Sequence, residues 1–153
     1  MLSFRKPSLD DISIYFKWAN DSSVRNSSYN SNHIDFETHK SWFEKVLTDN
    51  SYFMYIFQNY NNQFIGQVRI HKQDEFNATI GISIDQRHRG NGYAKEMIVS
   101  ASRSFLELNQ GCVVHAFIKE INMVSKRSFE KAGFEFIGMV NYNKSRSFHF
   151  LIK

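Results

Sequence analysis

The sequence predicts one domain that combines helices and strands, in the α/β (α+β) class. Residues 78–85, ATIGISID, alternate apolar and polar side chains with the period of a half-buried strand. Residues 36–47 and 94–108 instead repeat apolar side chains at helical spacing. The chain has 153 residues, of which 42% are hydrophobic. This is enough for one compact core, so a single domain spanning 1–153 is expected.

The first third of the chain predicts a strand, two helices and a loop. Residues 2–5 form the strand, and Ser8 can cap a helix whose first turn contains Asp10 and Asp11. The apolar face of this helix is formed by Leu9, Ile12, Phe16 and Ala19. The apolar stripe of the second helix is formed by Phe36, His39, Phe43, Val46 and Leu47. The polar run between the helices, NDSSVRNSSYNSN, predicts a long loop.

The rest of the chain predicts three strands, a helix, a strand, a helix and two strands. These elements cover residues 52–57, 64–70, 78–85, 90–109, 112–118, 122–132, 134–140 and 147–152. Asn61 and Asn62 give a turn signal between the first two of these strands, and Gly111 and Gly133 end the two helices. The predicted total is seven strands and four helices.

Composition limits the classes of function. The net charge of +4 favours anionic partners but does not separate nucleotides, phosphate esters and RNA. Cys112 is the only cysteine, so no internal disulfide can form. No Cys/His group has the spacing of a zinc site, so no metal is expected. No apolar stretch suits a signal peptide or a membrane span. These features predict a cytoplasmic protein without a membrane partner.

The stretch DQRHRGNGYAKEMI, residues 85–98, places two glycines at the start of a predicted helix. The first amides of a helix have no partner within it, and glycines before them let an anion approach the backbone. Arg87, His88 and Arg89 add positive charge at Gly90 and Gly92. The stretch therefore predicts an anion site, with a solvated basic turn as the alternative.

Spacing excludes two known phosphate motifs, because GxxxxGK[ST] is absent and the third glycine of a dinucleotide fold is missing. RHRGNG instead resembles the [QR]-x-x-G-x-[GA] signature of the Gcn5-related N-acetyltransferase (GNAT) family. Downstream, NMVSKRSFEKAGFEF resembles the second signature of that family. The matching residues are Asn122, Ser125, Phe129, Glu130, Lys131, Gly133 and Phe134. Each motif lies in its expected element, and the element order of the whole chain is also that of the family.

The resemblance implies a GNAT fold. This fold has a central mixed, mostly antiparallel seven-stranded sheet, flanked by about four helices and splayed between strands four and five. It also implies an N-acetyltransferase that transfers acetyl from acetyl-coenzyme A directly to an amine, through a tetrahedral intermediate.

The resemblance further implies how the coenzyme is held. The amides of the glycine turn would bind its pyrophosphate, and the pantetheine arm would lie between strands four and five. Amides near Ser83 and Ile84 would polarise the thioester carbonyl. The implied coenzyme-binding residues are Ile82, Ser83, Ile84, Arg87, His88, Arg89, Gly90, Asn91, Gly92, Tyr93, Ala94, Asn122, Ser125 and Phe129.

The sequence offers several candidates for the groups that move protons. Many relatives have a tyrosine as general acid at the position of Phe129, which has no hydroxyl. Ser125, one helical turn earlier, is the nearest substitute, or the thiolate leaves unaided. The candidate bases are His39, Asp85, His71 and Glu75, and direct loss of the proton to a chain of water molecules is the alternative. A neutral imidazole suits this role, although a histidine on an apolar helix face is usually a core residue.

Residues 18–47 resemble the acceptor segment of the sugar-nucleotide amine acetyltransferases. Members of this group act on UDP-linked 4-amino-4,6-dideoxy sugars on the route to pseudaminic acid. Arg25 would pair with a diphosphate, Asn20 would bind sugar hydroxyls, and an aromatic ring would stack on the base or sugar. The implied acceptor-binding residues are Trp18, Asn20, Arg25, Ser28, Tyr29, His39 and Trp42. The alternative is that the aromatic residues of this segment simply form the core.

The sequence is also compatible with two other functions. An N-terminal acetyltransferase for ribosomal proteins or other peptides would share the fold but would need acidic residues for a basic peptide. Within residues 20–34, however, the negative charge of Asp21 is balanced by the positive charge of Arg25. A non-catalytic module that binds coenzyme A or RNA is the other alternative. No RNA-binding motif is present, so no nucleic-acid partner is expected. A homodimer is compatible with the sequence.

Overall fold

The computed structural model describes all 153 residues as seven strands and five α-helices. The strands are β1 Ser3–Arg5, β2 Tyr52–Gln58, β3 Phe64–Lys72, β4 Asn77–Ile84, β5 Val113–Lys119, β6 Glu135–Tyr142 and β7 Ser145–Ile152. The helices are α1 Ile12–Ala19, α2 Ser22–Ser27, α3 Phe36–Thr48, α4 Tyr93–Leu108 and α5 Met123–Lys131. Short 3₁₀ turns at Leu9–Asp11 and Gln86–His88 precede α1 and α4.

All seven strands belong to one sheet, in the order β1-β2-β3-β4-β5-β7-β6. Every neighbouring pair is antiparallel except β4 and β5, which are parallel. These two strands pair only over Asn77–Thr79 and Val113–His115. Beyond that point they diverge, so the mixed, mostly antiparallel sheet with a splay between strands four and five is confirmed.

Both faces of the sheet are covered. Along β2, Met54 and Ile56 belong to a cluster with residues of α1 and α3, whereas Tyr55 and Phe57 belong to a larger cluster with residues of α4 and α5. Alternate residues of a strand point to opposite faces. The continuous apolar run of β2 therefore reflects a strand that is buried between two helical layers.

Helix α2 is a difference from the sequence prediction, because it lies within the run that was expected to be a loop. Its cap is Asp21, whose carboxylate accepts hydrogen bonds from the amides of Ser23 and Val24. A single aspartate at the N-cap is enough to begin a short helix where no apolar periodicity marks one.

Helix α4 begins later than expected, at Tyr93 rather than Gly90. Gly90 and Gly92 both have φ of +77°, which belongs to the left-handed region and not to a helix. Three predicted apolar positions lie outside the core, since Leu9, Phe36 and Leu108 are 55%, 42% and 73% exposed. None of the helices combines the length and the apolar character needed to cross a lipid bilayer.

Candidate active site

A cavity of about 750 Å³ lies between the helices α1, α2 and α3 and the central strands. Its floor includes side chains of β3 and β4, and its far wall is formed by β5, α5 and Tyr142. The cavity reaches the splay between β4 and β5, where the resemblance places the pantetheine arm. None of the 32 residues that line it is acidic, and its three charged residues are Arg25, Arg69 and Arg89.

The turn before α4 leaves a run of free backbone donors. No amide from Arg89 to Lys95 donates a hydrogen bond to another protein group. A Cβ at Gly90 or Gly92 would meet nothing within 4 Å, so these positions require glycine for their positive φ and not for space. Free amides at a helix N-terminus attract anions. The turn is therefore suited to a pyrophosphate.

The arginines of the turn form ion pairs and hydrogen bonds within the protein, whereas the sequence predicted that their charges would be available to an anion. The Arg87 guanidinium pairs with Asp85, with 3.0 Å from Nε to Oδ1. Arg89 donates from Nε to the Ile84 carbonyl at 3.1 Å and from Nη2 to Asp21 at 2.8 Å. Their side chains shape the turn and connect it to α2, while the backbone remains available to an anion.

Hydrogen bonding determines which β4 amides face the splay. Asp85 donates its amide to Ile65 on β3, and at the other end Asn77 accepts from Gln73. Backbone groups of a strand alternate between its two neighbours. The amides of Ile82 and Ile84 therefore point into the splay, and that of Ser83 points to β3. For the oxyanion site, this geometry favours the two isoleucines over Ser83.

The start of α5 places three expected residues on the cavity wall. Asn122 caps the helix, because its Oδ1 accepts from the Ser125 amide at 3.2 Å. This contact leaves the Asn122 Nδ2 donor free, and the Ser125 hydroxyl also has no protein partner. Phe129 is buried at 2% exposure and packs edge-to-face on Phe134. It contributes an apolar wall and no proton donor.

Asp85 does not have the geometry of a general base. Its buried carboxylate accepts hydrogen bonds from Arg87 and from the Trp18 indole, the latter at 2.9 Å. Burial alone would favour the neutral acid, but these hydrogen bonds lower the pKa of Asp85 well below its usual range. Asp85 also does not line the cavity. Its role is to connect α1 to the glycine turn.

The other three candidate bases differ in position. Glu75 lies in the exposed β3–β4 turn, away from the cavity. His71 lines the cavity and stacks on Tyr52, with ring centroids 4.0 Å apart. His39 also lines the cavity, is 3% exposed, and has a buried Nε2 without a hydrogen-bond partner. Burial lowers the pKa of His39, so its imidazole is neutral at neutral pH.

Two expected acceptor residues hold the polypeptide chain instead. The Asn20 amide exchanges two hydrogen bonds with the backbone of Ile34, at 2.7 and 2.8 Å, and does not line the cavity. The Ser28 hydroxyl donates to the Val24 carbonyl and accepts from Arg25. These polar side chains therefore brace the segment around α2 and are not free to bind sugar hydroxyls.

The Arg25 side chain lines the cavity and also donates hydrogen bonds to the polypeptide chain around α2. Its Nη1 donates to the carbonyls of Asn30 and Asn32, and its Nη2 donates to Ser28. Its Nε is buried at the cavity without a partner, and it has no carboxylate neighbour. Most of its donors are thus already used to fold the loop.

The expected aromatic residues all reach the cavity. Trp18 is 3% exposed and belongs to the core as well as to the cavity wall. Tyr29 contacts the Ser147 hydroxyl at 2.6 Å and packs on Tyr142. Trp42 is partly buried, with the Arg69 guanidinium 5.2 Å from its ring centroid. Tyr29 and Trp42 have the exposure that a stacking surface requires.

The cavity is also lined by residues that the sequence did not single out, among them Tyr15, Gln67 and Arg69. The Tyr15 hydroxyl and the Gln67 Oε1 are both buried without a partner. With Arg25 Nε and His39 Nε2, they make four unpaired buried polar atoms on this one cavity. Buried polar atoms are normally paired, so this concentration makes the cavity a candidate ligand site. Alternation along FIGQVRIHK does place Gln67 and Arg69 on one face, and this signal was available in the sequence.

Comparisons with known proteins are consistent in fold. A family described as "Acetyltransferase (GNAT) domain" matches residues 1–135. No curated protein is significantly similar in sequence. A spermidine N-acetyltransferase from Vibrio cholerae, in complex with CoA and spermine, has a TM-score of 0.88 at 17% identity, covering 99% of this chain and 94% of that chain. An aminoglycoside acetyltransferase, in complex with coenzyme A and kanamycin, has a TM-score of 0.82 at 18% identity, with coverage of 99% and 94%.

Proposed function

Because the chain belongs to the GNAT acetyltransferase family, and is therefore an N-acetyltransferase that uses acetyl-coenzyme A, we propose that its acceptor is a nucleotide-linked amino sugar. The sugar is of the UDP-4-amino-4,6-dideoxy type. The observation that supports this acceptor is the charge of the cavity, which is lined by no acidic residue and by two arginines without an acidic partner, Arg25 and Arg69. Such a cavity favours an anionic acceptor with a neutral reacting amine.

The structural neighbours bind acceptors of the opposite charge. Spermine and kanamycin are polycations, and their recognition calls for carboxylates on the protein. In this chain, two carboxylates contact residues of the cavity wall, and both are already paired: Asp21 with Arg89, and Asp85 with Arg87 and the Trp18 indole. A polycation entering this cavity would face Arg25 and Arg69 without a compensating acid. The fold is shared, but the acceptor charge is not.

The residues available to hold acetyl-coenzyme A form a continuous path. The free amides from Arg89 to Lys95 would bind its pyrophosphate, and Asn122 Nδ2 would bind the arm from the α5 side. The coenzyme supplies the acetyl group as an activated thioester. The amides of Ile82 and Ile84 face the splay, where they would donate to the carbonyl oxygen and stabilise negative charge on it.

His39 is the base that this geometry supports best. His39 lines the cavity, its buried Nε2 has no hydrogen-bond partner, and burial lowers the pKa of the imidazole, which favours the neutral form. It would accept the proton that the amine loses during transfer. On the opposite wall, the unpaired hydroxyl of Ser125 would donate to the leaving thiolate in place of the tyrosine that Phe129 replaces.

The proposal is tested by a thiol-release assay with a panel of amines. The panel contains UDP- and dTDP-4-amino-4,6-dideoxy sugars, basic N-terminal peptides, spermidine and kanamycin. We expect the nucleotide sugars to have the highest kcat/KM. Turnover of peptides alone would refute the nucleotide sugar in favour of N-terminal acetylation, and turnover of spermidine alone would refute an anionic acceptor.

A further inference from the structure

Arg69 is a positively charged residue that has no acidic partner in the protein. It lies on β3 opposite Gly81 of β4, and it is partly buried beneath α3. The chain has five ion pairs, and none of them includes Arg69. No protein group accepts a hydrogen bond from its guanidinium, whose one specific contact is with the Trp42 ring. A charge in this position lowers the free energy of unfolding, because no partner in the protein compensates for its loss of water.

The surroundings of Arg69 are unfavourable to its charge in the free enzyme. Burial lowers the pKa of Arg69, and the positive charge of Arg25 lowers it further. The guanidinium nevertheless stays protonated, because arginine does not lose its proton in proteins. An anion at this position would relieve both the desolvation and the repulsion between the two arginines.

The space around Arg69 is open on the side of the cavity. Arg69 and Gly81 both line the cavity. A Cβ at Gly81 would be in van der Waals contact with Arg69 Nη2, at 3.9 Å, and the glycine omits that contact. Tyr15 also lines the cavity, and its hydroxyl is a second unpaired donor. Trp42 holds the other face of the guanidinium. The planar fork of donors is thus fixed in direction before any ligand arrives.

We propose that Arg69 is the principal binding site for a phosphate group of the acceptor, with Tyr15 as a second donor and Trp42 as its support. Arg25, to which sequence similarity assigned this role, acts mainly on the loop, because three of its donor contacts go to Asn30, Asn32 and Ser28. This inference rests on the proposed anionic acceptor and identifies the residue that selects it.

The test measures binding of inorganic pyrophosphate and UDP to the enzyme saturated with coenzyme A. Saturation keeps both probes out of the glycine turn. Isothermal titration calorimetry compares the wild type with Arg69→Met, which keeps the length of the side chain under Trp42 and removes the charge. The control is Arg103→Met, which removes the same charge from the exposed face of α4. Malonate and spermine serve as a dicarboxylate and a polycation.

We expect Arg69→Met to weaken binding of pyrophosphate and UDP by about tenfold or more, the loss of one charge-assisted hydrogen-bonded contact. Arg103→Met should bind like the wild type. Arg69→Met should also raise the Tm, because it removes an unpaired charge that is partly buried. A lower Tm with unchanged probe binding would overturn the proposal and make Arg69 a structural partner of Trp42.

Three further outcomes separate this inference from the proposed function. Malonate binding as tightly as pyrophosphate would overturn the phosphate assignment in favour of a carboxylate. Turnover of a UDP-amino sugar that is insensitive to Arg69→Met would overturn the site while leaving the proposed function intact. Tight binding of spermine together with no binding of pyrophosphate would overturn both.

Discussion

The two candidate ligand-binding regions of the molecule offer different kinds of atoms. Between Arg89 and Lys95 the available groups are backbone amides, held open by the left-handed conformation of Gly90 and Gly92. In the acceptor cavity they are side-chain atoms that have no partner in the protein. These atoms are Tyr15 Oη, Arg25 Nε, His39 Nε2 and Gln67 Oε1. The first arrangement suits a ligand common to a family, and the second suits an acceptor particular to this chain.

Two contacts connect these regions. Trp18 of α1 donates to Asp85, which begins the glycine turn, and Asp21 at the start of α2 pairs with Arg89 inside that turn. Helices α1 and α2 are therefore connected to the glycine turn, where we propose that the coenzyme binds. Substitutions that act on one region alone, or on the contacts between them, test whether the division is real.

The largest expected effect is on the acceptor side, for His39→Gln. Loss of a positioned base should lower kcat by about 10²- to 10⁴-fold and leave the KM of acetyl-coenzyme A unchanged. In the wild type, activity requires neutral His39, so kcat/KM should fall as the pH drops through its pKa. Since burial lowers that pKa, the fall lies on the acid side of the usual histidine range.

A pH profile of kcat/KM checks this prediction. The acid limb should disappear in His39→Gln and persist in His71→Gln, whose imidazole is stacked on Tyr52. An unchanged kcat in His39→Gln, with a lower Tm, would identify His39 as a core residue only.

A comparably direct effect on the coenzyme side is expected for Gly90→Glu. The substitution forces a side chain into φ of +77° and adds a negative charge beside the free amides. Loss of one or two charge-assisted contacts should weaken acetyl-coenzyme A binding by about 10- to 100-fold. Calorimetry measures the affinity.

Gly111→Glu is the matched control for Gly90→Glu. Gly111 also has a positive φ, of +84°, but it follows the opposite end of α4. The Gly111→Glu variant should be less stable than the wild type but should bind acetyl-coenzyme A with the same affinity. Equal loss of affinity in the two variants would contradict the assignment of the pyrophosphate to the glycine turn.

The connection between the regions is tested by Trp18→Phe. The variant removes the indole donor to a buried carboxylate, which should lower the free energy of unfolding by about 1.5 to 3 kcal/mol. Urea unfolding measures the change. Trp42→Phe, whose indole nitrogen makes no hydrogen bond, should cost less. If the two variants lower the free energy of unfolding by the same amount, the Trp18–Asp85 hydrogen bond does not stabilise the connection between α1 and the glycine turn.

The smallest expected effect is that of Ser125→Ala. A thiolate already leaves readily, so removing the proposed acid should lower kcat by only about threefold to tenfold. Ser128→Ala is the control, because its hydroxyl lines the same cavity but donates to the Val124 carbonyl. Single-turnover rates measure both variants, and a Ser128→Ala effect equal to that of Ser125→Ala would remove Ser125 from the mechanism.

The contrast between the two regions also explains what could be predicted from the sequence. The alternation of β4 and the paired glycines are local patterns, so the strand, the turn and the start of α4 were predictable within three residues. Helix α2 was missed because its main signal is one capping aspartate in a polar run.

The acceptor side depends on contacts between distant parts of the chain. The hydrogen bond that makes Asp85 structural comes from Trp18, 67 residues earlier. Alternation placed Arg69 on the polar face of β3, but a polar strand face is ordinarily exposed to solvent, and only the packing of α1 and α3 shows that it is covered. Charge balance in a cavity is a property of the folded chain, which local patterns do not record.

The central claim is that the acceptor is an anionic amine. Its most direct test is the ratio of kcat/KM for a UDP-4-amino-4,6-dideoxy sugar to kcat/KM for spermidine, measured with the wild-type enzyme by thiol release. The cavity has arginines and no acid, so we predict a ratio of about 100 or more, equivalent to about 2.7 kcal/mol of discrimination. A ratio below one would contradict the account.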